Sequence, residues 1–195
     1  MPENKEQGRV SFGPQSWVYP MPVLVVGTYD PEGRPDAMTA AWGGVHDTNQ
    51  IGMCLSAGHR TVKNLLAAKE NGDAYFSVSP AVAGTAAAAD AVGMVSADKN
   101  PDKCARAGLT PVRCGSIPAP RFAELPLTLE CRLVSYDPST GALVGDILNV
   151  TADEAVLGEN GKPDFAKLSP LVFDPANASY YRVGGKEDDA FVHLI

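Results

Sequence analysis

The stretch from Leu127 to Ala152 limits the fold more than any other. Leu127, Leu129, Cys131 and Leu133 alternate with Thr128, Glu130, Arg132 and Val134, the period-two pattern of a strand with one buried face. A second long strand pattern runs from Ala142 to Ala152. Between the two, Asp137-Pro138-Ser139-Thr140-Gly141 is dense in turn-forming residues. The pair reads as a long hairpin, so the chain is organised around antiparallel sheet.

Upstream of this hairpin the strand signals are shorter. Val23 to Tyr29 is rich in β-branched residues, and Asp30-Pro31-Glu32-Gly33-Arg34-Pro35 turns it into a strand expected from Asp36 to Gly43. Asp47-Thr48-Asn49-Gln50 is a further turn before a strand at Ile51 to Ser56. A helix is expected next, capped by Thr61, facing Leu65 and Leu66 inward and stopped by Asn71-Gly72. Asp73 to Ser79 reads as strand and Ala86 to Val92 as a short helix of small residues. Asn100 is a candidate cap for another helix, with Pro101 at its first position and Gly108 at its end. Short strands interleaved with helices suggest a mainly β fold, a small antiparallel barrel with helical excursions. The 195 residues read as one domain, with an arm over residues 1–16 and a loop-rich tail over 158–195. In that tail a short helix is expected near Asp164 to Leu168 and a strand near Tyr180 to Val183.

Charge narrows the partners. Sixteen basic against 23 acidic side chains leave a net charge of −7, which argues against broad nucleic-acid binding. No stretch of 18 or more apolar residues is present, so no membrane-spanning helix is expected, and Met1 to Val10 has no apolar core of a targeting signal. Cys54, Cys104, Cys114 and Cys131 show no CxxC or zinc spacing, so reduced thiols in a cytoplasm are the expectation, with Cys54 in the core. His46, His59 and His193 are scattered and suggest no metal site. No P-loop, GxGxxG or nucleophile-elbow motif occurs, and Asp98, Asp153 and Glu154 read as solvated or capping acids rather than a hydrolytic pair.

Two stretches carry site chemistry. In Leu55-Ser56-Ala57-Gly58-His59-Arg60-Thr61-Val62-Lys63-Asn64 a strand ends, a glycine turn follows and a helix begins. Open backbone N–H groups and the helix dipole favour an anion at such a start, and the Arg60 fork suits phosphate. Thr61 and Asn64 share one helix face, and Ser56 could reach the same spot. Ordinary helix capping by Thr61, with Arg60 as a surface charge, explains the same residues. In Ala37-Met38-Thr39-Ala40-Ala41-Trp42-Gly43-Gly44, small residues stand where a strand favours bulky ones. They would let a flat ring approach the backbone, whose N–H and C=O groups could read its polar edge. They would equally allow tight barrel packing.

These stretches, together with Val18-Tyr19-Pro20-Met21-Pro22-Val23, Gly93-Met94-Val95-Ser96, Pro101-Asp102-Lys103, Leu129-Glu130-Cys131, Val144 to Val150 and Asp174-Pro175, occur in an order and spacing that resembles the flavoredoxin group of flavin reductase-like proteins. The resemblance spans roughly residues 17–192. It implies an FMN-binding split β-barrel that forms a homodimer, with one FMN per subunit near the interface. It implies that the backbone of Ala37, Met38, Thr39, Ala40, Ala41 and Trp42 lines the ring. It places Ser56, His59, Arg60, Thr61 and Asn64 near the ribityl chain and phosphate, approached by Ser96 and Lys103. The sequence departs from the group's usual Asn at Asp36, Gly at Ala97 and Phe at Cys104.

The expected function is an oxidoreductase that passes electrons from a nicotinamide nucleotide through bound FMN to an acceptor the sequence does not identify. No side chain is required as acid or base, because the flavin supplies the chemistry and backbone N–H groups can stabilise its reduced form. The alternatives are a flavin carrier or electron-transfer protein without nicotinamide reactivity, and a barrel module without cofactor.

Overall fold

The structure, a computed structural model, describes residues 5–6, 8–188 and 190. His193 therefore lies outside the described residues, as do residues 1–4 and 7 of the stretch Met1 to Val10. Strands β1 (Lys5–Glu6) and β2 (Arg9–Val10) pair with each other. There follow β3 (Met21–Pro22), β4 (Leu24–Tyr29), β5 (Pro35–Ala40), β6 (Gly43–Asp47) and β7 (Gln50–Cys54), then helix α1 (Arg60–Glu70) and β8 (Tyr75–Pro80). Helices α2 (Ala86–Met94) and α3 (Lys103–Arg106) lead to a small hairpin, β9 (Pro111–Arg113) and β10 (Pro120–Phe122). The long hairpin is β11 (Leu127–Asp137) and β12 (Ala142–Ala152). Helix α4 (Phe165–Leu168) and strands β13 (Leu171–Asp174) and β14 (Ser179–Arg182) complete the fold.

Seven strands form one antiparallel sheet in the order β5-β4-β8-β11-β12-β7-β6. Its two outer strands, β5 and β6, are joined only by Ala41 and Trp42. Three residue steps of extended chain reach at most about 10 Å, so the sheet must curl until its edges approach at that end. A Cβ added to Gly43 of β6 would meet Met53 Cγ at 2.8 Å and Leu24 Cδ1 at 3.1 Å, which shows how closely the edges pack there. No ladder joins β5 to β6. The sheet is thus a curled half-barrel of the split-barrel type.

The barrel encloses Val26, Met38, Ile51, Met53, Phe76, Val78, Cys131 and Leu133, and α1 adds Val62 and Leu65. A second core lies outside β4 and β5, where Val23, Val25 and Ala37 pack with Ala89 and Val92 of α2, Cys104 of α3 and Phe122 of β10. Coverage of β4 on both faces explains its unbroken apolar run. Helix α2 lies against β5 through small residues four apart. Ala89 O accepts from Thr39 Oγ1 at 2.5 Å, and a Cβ at Gly93 would stand 3.2 Å from Thr39 Cβ. The Ala-rich face is therefore used inside the chain.

Several sequence expectations are corrected. The strand expected from Asp36 to Gly43 breaks at Ala41-Trp42, and Gly43–Asp47 is a separate edge strand with little apolar patterning because most of it faces solvent. In β11 both faces are buried over the first half. The ladder slips between Glu130 and Cys131, and Thr128 and Glu130 are as enclosed as Cys131. The turn at 114–119 covers Glu130, whose Oε2 accepts from Ser116 N at 3.1 Å. Leu66 is exposed while Leu65 is buried. Helix α3 starts at Lys103, not at Pro101, because Asn100 to Asp102 form a turn closed by Lys103 N donating to Asn100 O. Cys54 is exposed, since β7 points it toward the 138–141 turn, where Sγ lies 3.4 Å from Thr140 O.

Candidate functional site

The free edge of β5 borders a cavity of about 720 Å³, a size common for ligand sites. Met38, Thr39, Ala40, Ala41 and Trp42 form one side. Cys54, Leu55, Ser56, Ala57 and His59 form another, and the hairpin turn Pro138 to Gly141 a third, with Ser16, Phe173 and Pro175 at the rim. Among the described residues β5 pairs only with β4, and its second backbone edge has no strand partner. Trp42 is 57% exposed, so its indole is a large apolar surface open to the site.

The opposite wall depends on the long hairpin. Ala142 of β12 pairs with Cys54 of β7, and Leu55 N donates to Gly141 O at 2.8 Å. Gly141 has φ +77, and a Cβ there would stand 2.8 Å from Leu55 O, so the tight turn requires glycine. Tyr136 OH donates to Leu55 O at 2.9 Å. The 138–141 turn, Cys54, Phe173 and Pro175 join the site only through strand pairing; nothing local in their sequence marks them as lining, although Asp174-Pro175 belongs to the family-like pattern.

A second cavity, about 240 Å³, adjoins the first at Met38 and His59. Gly58, Arg60, Thr61, Val92 to Ser96 and Lys103 also line it. It lies at the start of α1. The cap residue is His59, with φ −68 and ψ 139, and among the described residues no side chain caps the helix. Its first N–H groups thus remain for another acceptor. Thr61 is not the cap. It lies inside the first turn and its hydroxyl donates to Asp36 Oδ2 at 2.7 Å.

The basic side chains here are matched by acids. Arg60 contacts Asp98 Oδ1 at 3.0 Å and Asp30 Oδ2 at 3.4 Å, and Lys63 Nζ contacts Asp98 Oδ2 at 2.8 Å. The hydrogen bonds from Lys63 and Arg60 hold the Asp98 carboxyl below its usual range. Lys103 is buried, with Nζ 2.9 Å from Asp36 Oδ1, 2.9 Å from Val95 O and 3.3 Å from Val92 O. Asp36 Oδ1 accepts no aligned hydrogen bond, yet the close ammonium satisfies it as an ion contact.

Of the residues singled out in the sequence, Met38, Thr39, Ala40, Ala41, Trp42, Ser56 and His59 line the large cavity, and Arg60, Thr61, Ser96 and Lys103 join Met38 and His59 in the smaller one. Ala37 and Asn64 line neither. Ala37 packs in the outer core, and Asn64 Nδ2 donates to Thr28 Oγ1 at 3.0 Å inside the protein. Among the described residues no three His, Cys, Asp or Glu side chains converge on a metal-sized site.

A split barrel with a broad cavity along a free strand edge and an uncapped helix start beside it defines a ligand-binding barrel class. The family model described as "Flavin reductase like domain" matches residues 16–181, and the chain belongs to that family, an oxidoreductase kind associated with flavin. The flavoredoxin of Desulfovibrio vulgaris (Miyazaki F) superposes with a TM-score of 0.87 at 33% identity, over 94% of this chain and 98% of that one. A flavoredoxin from Methanosarcina acetivorans gives 0.80 at 28% identity, over 94% and 96%. Nitrilotriacetate monooxygenase component B from Bacillus cereus, at 22% identity and a TM-score of 0.71 over 88% of each chain, shares the fold. An uncharacterized protein of Aquifex aeolicus (strain VF5) is 31% identical over 68 residues, 34% of this chain and 35% of that protein. Among the described residues no helix is long and apolar enough to cross a membrane.

Proposed function

We propose that the chain binds FMN and works as an oxidoreductase that takes electrons from a nicotinamide nucleotide and passes them to an acceptor. The adjoining cavities carry this reading: a broad one along an unpaired backbone edge, and a small one at a helix N-terminus. Bound FMN would supply the redox chemistry. The backbone of Met38 to Trp42 would hold the ring edge, and Trp42 would cover apolar surface. Ser56, His59 and Ser96 would meet the ribityl chain. The first N–H groups of α1 and the Arg60 guanidinium would take the phosphate.

The residues fit this role with one reassignment. Thr61, Asn64 and Lys103 are committed to Asp36, Thr28 and the C-terminal carbonyls of α2, so they would shape the phosphate cavity rather than bind through their polar atoms. Among the described residues, the titratable side chains that line the large cavity are Cys54 and His59. A second copy of the chain is the expected partner, supported by exposed Val134, Leu148 and Val150 on the long hairpin.

The test is the visible spectrum of the purified protein with mass analysis of the released cofactor, followed by anaerobic addition of NADH or NADPH. FMN released in near-stoichiometric amount, and bleached by a nicotinamide nucleotide, is the expected outcome. FMN that remains oxidised with both nucleotides points to a flavin carrier, and a protein that cannot be loaded with FMN overturns the reading.

A further inference from the structure

We infer that Asp98 is a specificity-determining residue: its carboxylate occupies the basic groups a flavin phosphate would claim, and so weakens the preference for FMN over riboflavin. This rests on the flavin reading above.

Asp98 sits in the turn between α2 and α3 and bridges two cations of α1, with Oδ1 on Arg60 at 3.0 Å and Oδ2 on Lys63 at 2.8 Å. The turn is itself fastened by Ser96, whose Oγ accepts from Asp98 N at 3.2 Å. Arg60, proposed to take the phosphate, and Ser96, proposed to meet the ribityl chain beside it, are thus both engaged by Asp98. Arg60 is the wall between the small cavity at the helix start and a separate one of about 190 Å³ that Asp30, Asp36 and Asp98 line. Its fork is turned toward the acids.

The three acids differ in how readily they can yield. Asp36 is buried against buried Lys103, and separating such a pair leaves an uncompensated charge. Asp30 is pinned by Arg34 Nε at 2.8 Å and by the N–H groups of Glu32 and Arg34, with its side chain 8% exposed. The Asp98 side chain is 35% exposed and can turn into water. An arriving phosphate would therefore compete with Asp98 for Arg60 and Lys63. Riboflavin, which has no phosphate, would meet no such competition.

Flavin-free full-length protein titrated with FMN and with riboflavin, as wild type and as Asp98→Asn, tests this. The amide keeps the shape and removes the charge. The expected result is FMN binding about tenfold tighter in the variant, the scale of one charge-assisted hydrogen bond regained, with riboflavin changed by less than about twofold. FMN binding should also become more salt-sensitive in the variant than in wild type, because net positive charge now faces the phosphate. Asp98→Glu, which restores the carboxylate, should return the FMN-to-riboflavin ratio toward wild type. An unchanged ratio, or weaker FMN binding in Asp98→Asn, overturns the inference and makes Asp98 a support for Arg60. Wild type binding neither flavin would instead defeat the functional reading beneath it.

Discussion

Thr61 Oγ1 donates to Asp36 Oδ2 at 2.7 Å inside the protein, which fastens the first turn of α1 to the edge strand β5. The same carboxylate holds the Lys103 ammonium at 2.9 Å. One buried group thus fixes the strand edge, the helix start and α3 relative to one another; all three elements border the smaller cavity, and β5 borders the larger one as well.

Removing one partner of the Asp36–Lys103 pair should be costly. Lys103→Met leaves a buried carboxylate with only the Thr61 hydroxyl, and destabilisation of about 3–5 kcal/mol is expected. Asp36→Asn combined with Lys103→Met should cost clearly less than the two single changes added, because the pair is coupled. Urea denaturation of the three variants measures this, and simple additivity would show that the contact carries no coupling.

Gly27→Ala tests the packing of β10 on the barrel. A Cβ at Gly27 would lie 2.5 Å from both Pro120 O and Ser77 Oγ. The backbone carbonyl cannot move without displacing β10, so a loss of about 1–3 kcal/mol is expected, in the range of overpacked cores. Thermal unfolding reads it, and an unchanged Tm would place β10 further from β4 than described.

The thiols should separate sharply in reactivity. Burial is the main cause that pushes Cys131 up to about 12 and Cys104 and Cys114 up to about 11. Cys54 is exposed in the large cavity. At pH 8 a disulfide reagent should modify one thiol per chain quickly and three more only after unfolding. If FMN fills the cavity, it should also slow modification of Cys54. Rapid reaction of more than one thiol in the native protein would contradict the burial.

Arg60→Ala should weaken FMN about ten- to hundredfold, by loss of a charge-assisted hydrogen bond and by exposure of Asp30 and Asp98 to the phosphate. Riboflavin affinity should barely move. Paired titrations check it, and equal losses for both ligands would assign Arg60 to loop shape instead.

Acid should destabilise the protein in a defined window. Hydrogen bonds from Lys63 and then Arg60 lower Asp98, those from Gln50 and Arg132 lower Asp146, and those from Asn177 and Tyr19 lower Asp174. A carboxyl whose folded value is depressed contributes stability above its unfolded value and loses it as pH falls toward the folded one. The Tm should therefore be insensitive to these groups at neutral pH and fall below the ordinary aspartate value of 3.8. A Tm unchanged down to pH 2.5 would contradict the pairing of all three.

The sequence by itself determined the long hairpin, the strand at Val23 to Tyr29, the helix after His59 and the mainly β class. Each rests on local periodicity or turn chemistry, which neighbouring residues fix within a few positions. It also marked the Met38 to Trp42 side of the large cavity and the Ser56 to Thr61 side of the two cavities, because the small-residue strand and the strand-turn-helix start are continuous stretches. Tertiary structure alone decided that β6 is a separate edge strand, since its exposed residues carry no apolar period. It decided that Glu130 is buried, because the 114–119 turn that covers it lies beside it only in the folded chain. It placed Cys54 and the 138–141 turn in the cavity through the β7–β12 ladder. It also decided that the hydroxyl of Thr61 and the ammonium of Lys103 point at Asp36 rather than into a ligand site. A hydroxyl 25 residues and an ammonium 67 residues away from Asp36 along the chain can reach its carboxylate only once folding brings them together, and no spacing rule reaches that far.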